Sequence, residues 1–176
     1  MNLLFRMIWM FLSARWRSRC NILEPTHLTL RVLPTDLDVN LHLTNSRYFS
    51  FMDLSRVDHM IRNGAWKHIR ANKLMPVLGG GSVRYRRAVP PFAKIDVSTR
   101  VAGVDDRWIY LEHKVSSGQT IYTAAVLKAA FIDGNGRVPT PRLLEMFGHD
   151  GDLPPLSEEL SKIRDVDEAV NTVAGL

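Results

Sequence analysis

The sequence predicts an α+β protein in which one antiparallel sheet packs against one long helix. Between residues 45 and 63, apolar side chains recur every three to four residues, which is the period of an amphipathic helix. Between residues 77 and 132, apolar and polar residues alternate in segments that short turns separate, which is typical of hairpin-linked strands. A strand, a long helix and then consecutive strands favour an antiparallel sheet with its helix on one face.

The ends of these elements follow from local chemistry. Thr44 or Asn45 can cap the long helix, and Asn63-Gly64 can end it. Strands are predicted over 27–33, 79–87, 94–101, 107–115 and 120–132, and shorter helices over 139–150 and 157–170. The strand 120–132 is apolar or small on both faces, so we expect it in the middle of the sheet.

Composition narrows the class of protein and its partners. The chain has 176 residues, 45% of them hydrophobic, which suits a single globular domain. The single Cys20 excludes an internal disulfide and indicates a reducing compartment. No residues have the spacing of a metal site. A net charge of +5 permits an anionic partner, such as a phosphate-bearing ligand, an acidic protein or a membrane surface. Nucleic acid is disfavoured, because the basic run Arg84-Tyr85-Arg86-Arg87 is short and contains a single interleaved aromatic residue.

The N-terminal segment, residues 1–20, is apolar and then basic. Its first twelve residues are apolar except for Asn2 and Arg6, which is too short for an ordinary transmembrane span. The charge pattern is not that of a secretory signal. Such a segment either packs on the fold or a dimer mate, or lies in a membrane interface with Trp9 and Trp16 at headgroup level. We favour the interfacial anchor and expect peripheral membrane contact.

A polar loop leads directly into the long helix. Its four polar side chains stand at every second position with Leu or Val between them: Asp36, Asp38, Asn40 and His42. At a helix N-terminus the first backbone N–H groups are free, and the positive end of the helix dipole favours negative charge. An oxyanion near the backbone of Asn45 and Ser46 would therefore be stabilised.

The pattern Asp-Leu-Asp-x-Asn-x-His-x-x-Asn-x-x-Tyr, residues 36–48, resembles the signature of hotdog-fold thioesterases, the 4-hydroxybenzoyl-CoA thioesterase superfamily. It is most similar to the branch of plant acyl-carrier-protein thioesterases and thioesterase superfamily member six proteins, which residues 106–113 also resemble. The resemblance covers roughly residues 26–138. It implies a hotdog fold, a sheet curled around one long central helix, within a thioesterase domain of residues 21–150. Residues 1–20 would form an N-terminal helix, and 151–176 a polar C-terminal extension.

The resemblance also implies roles for single residues. Asp38 matches the catalytic carboxylate, which acts as nucleophile or general base, while Asn40 and His42 match residues that orient it and assist proton transfer. A lone aspartate here would more simply hydrogen-bond its own turn, and His42 could equally pack the loop. We expect Asn45, Ser46 and Tyr48 to line the substrate site, with Asn45 acting mainly as the N-cap.

One departure from the plant enzymes limits the mechanism. Their Glu-Cys pair follows an Arg-Arg on a later strand, and here Ala88 and Val89 occupy those positions. A cysteine nucleophile is therefore lacking, so catalysis would depend on Asp38, and specificity for acyl carrier protein is in doubt. The basic cluster Arg84, Arg86 and Arg87 either forms a solvated strand face or receives CoA phosphates.

Together these features favour an acyl-CoA thioesterase that converts a fatty-acyl or aryl thioester to the free acid and CoA. It would need no cofactor beyond the CoA of its substrate, and it would act as a homodimer or dimer of dimers with active sites between subunits. We expect it in the cytoplasm, peripheral to the inner face of a membrane. The alternatives are a non-catalytic hotdog module that binds acyl-CoA or lipid at a membrane, and a carrier-protein thioesterase. A dehydratase or hydratase on the same fold is disfavoured.

Overall fold

The computed structural model describes residues 2–149 and 153–174, so Met1, the expected boundary at residues 150–151 and the last two residues lie outside it. The described helices are α1 (Asn2–Ser13), α2 (Asn45–Arg62), α3 (Ala65–Ala71), α4 (Thr140–Met146) and α5 (Glu158–Ala174). The strands are β1 (Thr26–Arg31), β2 (Met75–Tyr85), β3 (Lys94–Val104), β4 (Ile109–Ser117), β5 (Thr120–Asp133) and β6 (Gly136–Val138).

All the strands belong to one curled antiparallel sheet in the order β1-β3-β4-β5-β2, with β6 paired to the end of β5. The predicted α+β architecture is confirmed, and β5 lies inside the sheet as its two apolar faces indicate. Helix α2 contacts β1 and β3 on one face of this sheet. The sheet and α2 therefore enclose the core.

Strand β2 is an edge strand that begins earlier than the sequence suggests. Pro76 precedes the predicted strand, yet it pairs with Phe131 inside the observed one. Proline has no N–H to donate, and an edge strand tolerates this loss because one of its sides has no partner strand. The register shifts between Leu78 and Gly80, where a glycine run favours a bulge. A side chain at Gly81 would collide with the backbone of Val126.

The apolar stripe of α2 serves two separate clusters rather than one. Phe51 and Met52 are fully buried in the cluster that faces the sheet. Leu54, Val57 and Ile61 belong instead to a cluster with Met10 and Phe11 of α1. The whole stripe therefore belongs to the hydrophobic core, because α1 covers the side of α2 that does not face the sheet.

Helix α1 packs on α2 and also presents an apolar face to solvent. Met10 is 2% exposed against α2, whereas Phe5 and Trp9 on the other side are 66% and 68% exposed, and Trp16 just beyond is 81% exposed. Neither α1 nor any other described helix is long and apolar enough to cross a bilayer. The first interpretation, packing on the fold, therefore holds for one side of α1 only.

Two fully buried carboxylates tie the N-terminal segment to the rest of the fold. Arg6 lies 2.7 Å from Asp36, and Arg17 lies 2.5 Å from Asp58, with both carboxylates 0% exposed. Arg47 is a further cation at 3.5 Å from Asp36. A carboxylate removed from water requires paired charge and hydrogen bonds. Buried ion pairs at Arg6 and Arg17 therefore hold the described part of the N-terminal segment to the rest of the fold.

The outer face of the sheet is covered from the same chain. Leu160 of α5 lies against Gly103 of β3, and Tyr110 of β4 is fully buried, with its hydroxyl donating to Asp105 Oδ2 at 2.9 Å. The ring of Trp108 packs under the cations of Lys128 and Arg137 at 4.8 and 4.2 Å. These contacts cover the part of the outer face around Gly103, Tyr110 and Trp108, whereas Arg100 and Lys114 on the same face remain exposed.

We predict that Arg6→Met lowers the free energy of unfolding by about 3 kcal/mol, because it leaves the buried Asp36 without its nearest cation. Urea denaturation of wild type and variant measures the difference. The matched control is Arg70→Met on the exposed side of α3, which should change stability by less than about 0.5 kcal/mol. Equal stabilities for Arg6→Met and wild type would show that the ion pair contributes nothing.

Candidate active site

The polar loop is a short, closed turn that stands on a buried base. Leu37 and Leu43 form an isolated antiparallel bridge that closes it. At its tip the N–H of Asp38 donates to His42 O at 2.9 Å, and the N–H of Leu41 donates to Asp38 O at 3.1 Å. Leu41 adopts a φ of 58°, a strained value for a bulky residue. The loop therefore holds one conformation through its own backbone.

The two oxygens of the Asp38 carboxylate have different environments, because one accepts hydrogen bonds from the loop and the other faces solvent. Oδ1 accepts the backbone N–H groups of Asn40 at 2.9 Å and His42 at 3.3 Å. No described residue donates a hydrogen bond to Oδ2, and the side chain is exposed. The turn role that a lone aspartate suggests is thus present, and it leaves one oxygen free to act on a ligand.

Asn40 and His42 are brought to Asp38 by these same backbone contacts, and both side chains are exposed. The structure therefore places all three predicted catalytic residues on one loop tip. The backbone N–H groups of Asn40 and His42 contact the carboxylate, and their side chains are open to solvent.

The N-cap of α2 is the first of the two residues that the sequence offers for this position. Thr44 is the N-cap, Asn45 is the first helical residue, and the Thr44 side chain makes no capping hydrogen bond. The expectation that Asn45 caps the helix was wrong, because the N–H of Thr44 donates to Asp36 O at 3.0 Å and fixes the chain there. Asn45 and Ser46 are exposed, so the N–H groups of the first turn can reach an anion.

Tyr48 lies beneath the loop rather than on its surface. It is 3% exposed, and its ring meets the ring of Tyr85 edge-on with centroids 5.2 Å apart. Burial raises the pKa of the Tyr48 phenol, so it stays protonated at neutral pH. Its place in the core makes it a support for the loop and the end of β2.

The arginine cluster lies beside the same loop. The N–H of Leu43 donates to Val89 O at 3.0 Å, which ties the segment after β2 to the loop. The side chains of Arg84, Arg86 and Arg87 are exposed, and none of them pairs with a carboxylate in the described part of the chain. The segment that follows these exposed arginines is thus joined to the base of the loop.

A buried hydrogen-bond chain behind α2 was not predicted as a unit. Ser55 Oγ donates to Val97 O at 3.1 Å, so in its 2.7 Å bond with Thr99 Oγ1 the serine accepts. Thr99 in turn accepts from His113 Nδ1 at 2.9 Å, which leaves Nε2 bare to accept from Arg56 at 3.3 Å. One backbone carbonyl thus sets the direction of every bond and keeps His113 neutral.

In a second buried histidine, His59, a backbone carbonyl also determines which ring nitrogen carries the proton. His59 Nε2 lies 3.2 Å from Ile22 O and must donate, so Nδ1 accepts from Thr26 Oγ1 at 3.1 Å. Burial lowers the pKa of His59 to about 4 and that of His113 to about 3. His113 is fully buried, and both of its ring nitrogens have hydrogen-bond partners. Polar residues at 55, 56 and 59, one face of α2, were the signal for the larger network.

These two histidines make stability depend on pH. Both are neutral when folded and have lowered pKa values, so the unfolded chain binds more protons than the folded one below about pH 6.5. We predict that the free energy of unfolding falls between pH 7 and pH 5, by up to about 1.4 kcal/mol per pH unit for each histidine. Urea titrations at pH 7, 6 and 5 measure the slope, and a flat profile would contradict the neutral network. In His59→Gln the dependence of the free energy of unfolding on pH should be weaker, because only His113 still contributes to it.

The sequence comparisons now identify the family. A family model described as the thioesterase-like superfamily matches residues 32–163, which include the loop, α2 and the sheet from β2 to β6. The chain belongs to the thioesterase-like superfamily. The resemblance drawn from residues 36–48 is thereby confirmed.

Alignments with two curated relatives cover most of this chain. Protein THEM6 of Danio rerio is 30% identical over 163 residues, which cover 87% of this chain and 79% of that protein. Thioesterase lcsJ of Purpureocillium lilacinum is 26% identical over 83% of this chain, and the match spans 54% of the fungal protein. The chain thus spans about half the length of that fungal relative.

Solved thioesterase structures share its fold. YbaW, a probable thioesterase from Escherichia coli, superimposes with a TM-score of 0.65 at 17% identity over 70% of this chain and 96% of its own. Slr0204 from Synechocystis, a 1,4-dihydroxy-2-naphthoyl-CoA thioesterase, gives 0.61 at 11% identity over 74% and 100%. The hotdog fold is confirmed. Membership supports thioester hydrolysis as the reaction.

Proposed function

We propose that this thioesterase-like protein hydrolyses an acyl-CoA, fatty-acyl or aromatic, to the free acid and CoA, with Asp38 as nucleophile or general base. The observation that carries the proposal is the position of the free Asp38 Oδ2. It sits on a closed loop immediately before α2, whose first turn keeps uncapped N–H groups in solvent. A carboxylate and an anion-binding helix terminus are the two parts that this hydrolysis needs.

Hydrolysis would divide the chemistry among the helix terminus, Asp38 and His42. The thioester carbonyl oxygen points at the N–H groups of Asn45 and Ser46, which stabilise the negative charge that develops on it. Asp38 Oδ2 either attacks the carbonyl carbon or takes a proton from a water that attacks it. The C–S bond breaks and the CoA thiolate leaves with a proton, which the nearby His42 can supply. In the direct route the loss of the thiolate leaves an acyl anhydride on Asp38, and water then cleaves this anhydride to release the acid and restore the carboxylate. In the general-base route the oxygen of the attacking water enters the acid product directly.

The cationic surface next to the loop supports CoA as the carrier. Arg84, Arg86 and Arg87 can bind the phosphates of CoA while the thioester lies at the loop. The hydrogen bond between Leu43 and Val89 joins the base of the loop to the segment that follows these arginines. The Synechocystis neighbour, a 1,4-dihydroxy-2-naphthoyl-CoA thioesterase, has a CoA thioester as its substrate.

The hydrogen bonds of Asp38 determine which variant tests its role. Asp38→Asn keeps an oxygen that accepts the N–H groups of Asn40 and His42, but it has no carboxylate. We predict that this variant keeps the wild-type melting temperature and loses thiol release from acyl-CoA by about 100-fold or more. Asp38→Ala removes the turn as well, so its loss of activity alone would be ambiguous. Thiol release from short, long and aromatic acyl-CoAs measures the rates.

The control for the Asp38 experiment is Asp106→Asn, which removes an exposed carboxylate elsewhere on the surface and should leave the rate unchanged. Full activity in Asp38→Asn would remove the carboxylate from the mechanism. An inactive wild type on every CoA ester would point to carrier-protein substrates or to the lipid-binding module.

We also propose that the exposed face of α1 lies in a membrane surface. Four of its large apolar side chains, Leu4, Phe5, Ile8 and Trp9, are between 47% and 68% exposed on one helix. Contiguous apolar surface of this kind marks an interaction site. The net charge of +5 and the exposed Arg19 and Arg31 complement anionic headgroups.

Flotation with vesicles that contain anionic phospholipid tests this contact. We predict that wild type floats with the vesicles and that Phe5→Ser/Trp9→Ser weakens binding at least about tenfold, because each side chain loses about 1.5–3 kcal/mol of burial. Both residues are exposed, so the variant should fold normally. Val166→Ser, a change at a 64% exposed residue of α5, should float like wild type. Failure of the wild type to float would refute the proposal.

A further inference from the structure

A cavity of about 250 Å³ lies between the second half of α2 and the sheet. Its walls are mostly apolar and include Met60, Val77, Leu111, Ala129 and Phe131. Its polar lining residues include Asp53 and Arg56 of α2. Asp53, Pro76 and Leu78 are exposed, so the cavity opens to solvent beside the edge of β2. A space of this size fits a small apolar ligand with one polar group.

This cavity is separate from the Asp38 loop. Phe51 and Met52, both 0% exposed, fill the space between α2 and the sheet nearer the loop. At 1.5 Å per residue, Arg56 stands about 16 Å along the helix from its first residue. The catalytic loop and the cavity are thus at different ends of α2, and what binds in one need not bind in the other.

Arg56 is the charged group of this cavity, and its position is fixed from behind. Its side chain is 10% exposed and donates to His113 Nε2 at 3.3 Å. The directional chain from Val97 O through Ser55 and Thr99 keeps that nitrogen bare. A second guanidinium nitrogen bonds Asp53, whose carboxylate is 58% exposed. Arg56 therefore has a rigid neutral partner, His113, and an anionic partner, Asp53, whose carboxylate can leave Arg56 and be solvated by water.

The charge of Arg56 persists in this setting. Burial lowers the pKa of its guanidinium to about 10, so it stays protonated at neutral pH. A buried cation with a half-solvated counter-ion is incompletely compensated. The planar guanidinium matches a carboxylate in shape as well as charge.

We propose that the cavity binds an apolar carboxylic acid, with its tail among the side chains of β2, β4 and β5 and its carboxylate on Arg56 in place of Asp53. Asp53 would turn into solvent when the acid enters. The site is independent of the proposed hydrolysis, because it uses none of the residues of the Asp38 loop.

Isothermal titration calorimetry with octanoate and octan-1-ol tests the proposal on the full chain. We expect octanoate to bind at least about tenfold more tightly than octan-1-ol, because only the acid makes a charge-assisted hydrogen bond. Asp38→Asn should bind octanoate as wild type does, which separates this site from the catalytic one. No binding of octanoate, or equal binding of the alcohol, would overturn the proposal.

Three variants assign the site. Asp53→Asn removes the competing carboxylate and should tighten octanoate binding, an effect that a purely structural Arg56 would not produce. Ala129→Leu fills the cavity and should abolish binding without touching the charge, and Arg56→Met should abolish the preference for the acid. Should Arg56→Met fail to fold, the other two variants still test the proposal.

Asp106→Asn controls for net charge and should bind as wild type. Unchanged or weaker binding in Asp53→Asn, or unchanged binding in Ala129→Leu, would overturn the assignment.

Discussion

The buried carboxylate of Asp36 is the constraint on which the loop, α1 and α2 all depend. Its Oδ2 accepts from Arg6 of α1 at 2.7 Å and from the N–H of Leu33 at 2.9 Å, while Arg47 of α2 lies 3.5 Å from Oδ1. Its backbone carbonyl accepts the N–H of Thr44 at 3.0 Å. One residue thus joins the N-terminal helix, the start of the loop and the start of the central helix. An unpaired charge at this depth would cost several kcal/mol, so the three elements are positioned together.

This constraint explains how two aspartates only two residues apart have different tasks. Asp36 ends a short 3-10 turn and points inward, where it is completely buried. Asp38 follows at the loop tip and points outward, held by the N–H groups of Asn40 and His42. The inward carboxylate organises the backbone, and the outward one keeps an oxygen free beside the helix terminus. A rigid support under an exposed carboxylate is what positioning for catalysis requires.

Local signals in the sequence were sufficient for the bounds of α2, for the central place of β5 and for the loop motif, because period and turn chemistry act over a few residues. The division of the α2 stripe between Phe51 and Leu54 was not predictable, since it depends on where α1 packs. The Ser55 network was equally hidden, because its partners Val97, Thr99 and His113 come from strands at least 40 residues away. The cap lies at Thr44 because a tertiary contact with Asp36 overrides the local preference of Asn45.

The two ends of α2 carry opposite kinds of polar chemistry for one physical reason. At the N-terminus the helix itself supplies unpaired N–H groups, so the proposed hydrolysis needs only a nearby carboxylate, and Asp38 is the one proposed for it. Further along, backbone groups are paired within the helix, and side chains must supply any polarity. There the bonds run from Arg56 through His113, Thr99 and Ser55 to Val97 O, so every member but the first is neutral. The single charge of the network therefore stands at its cavity end, where a ligand can meet it.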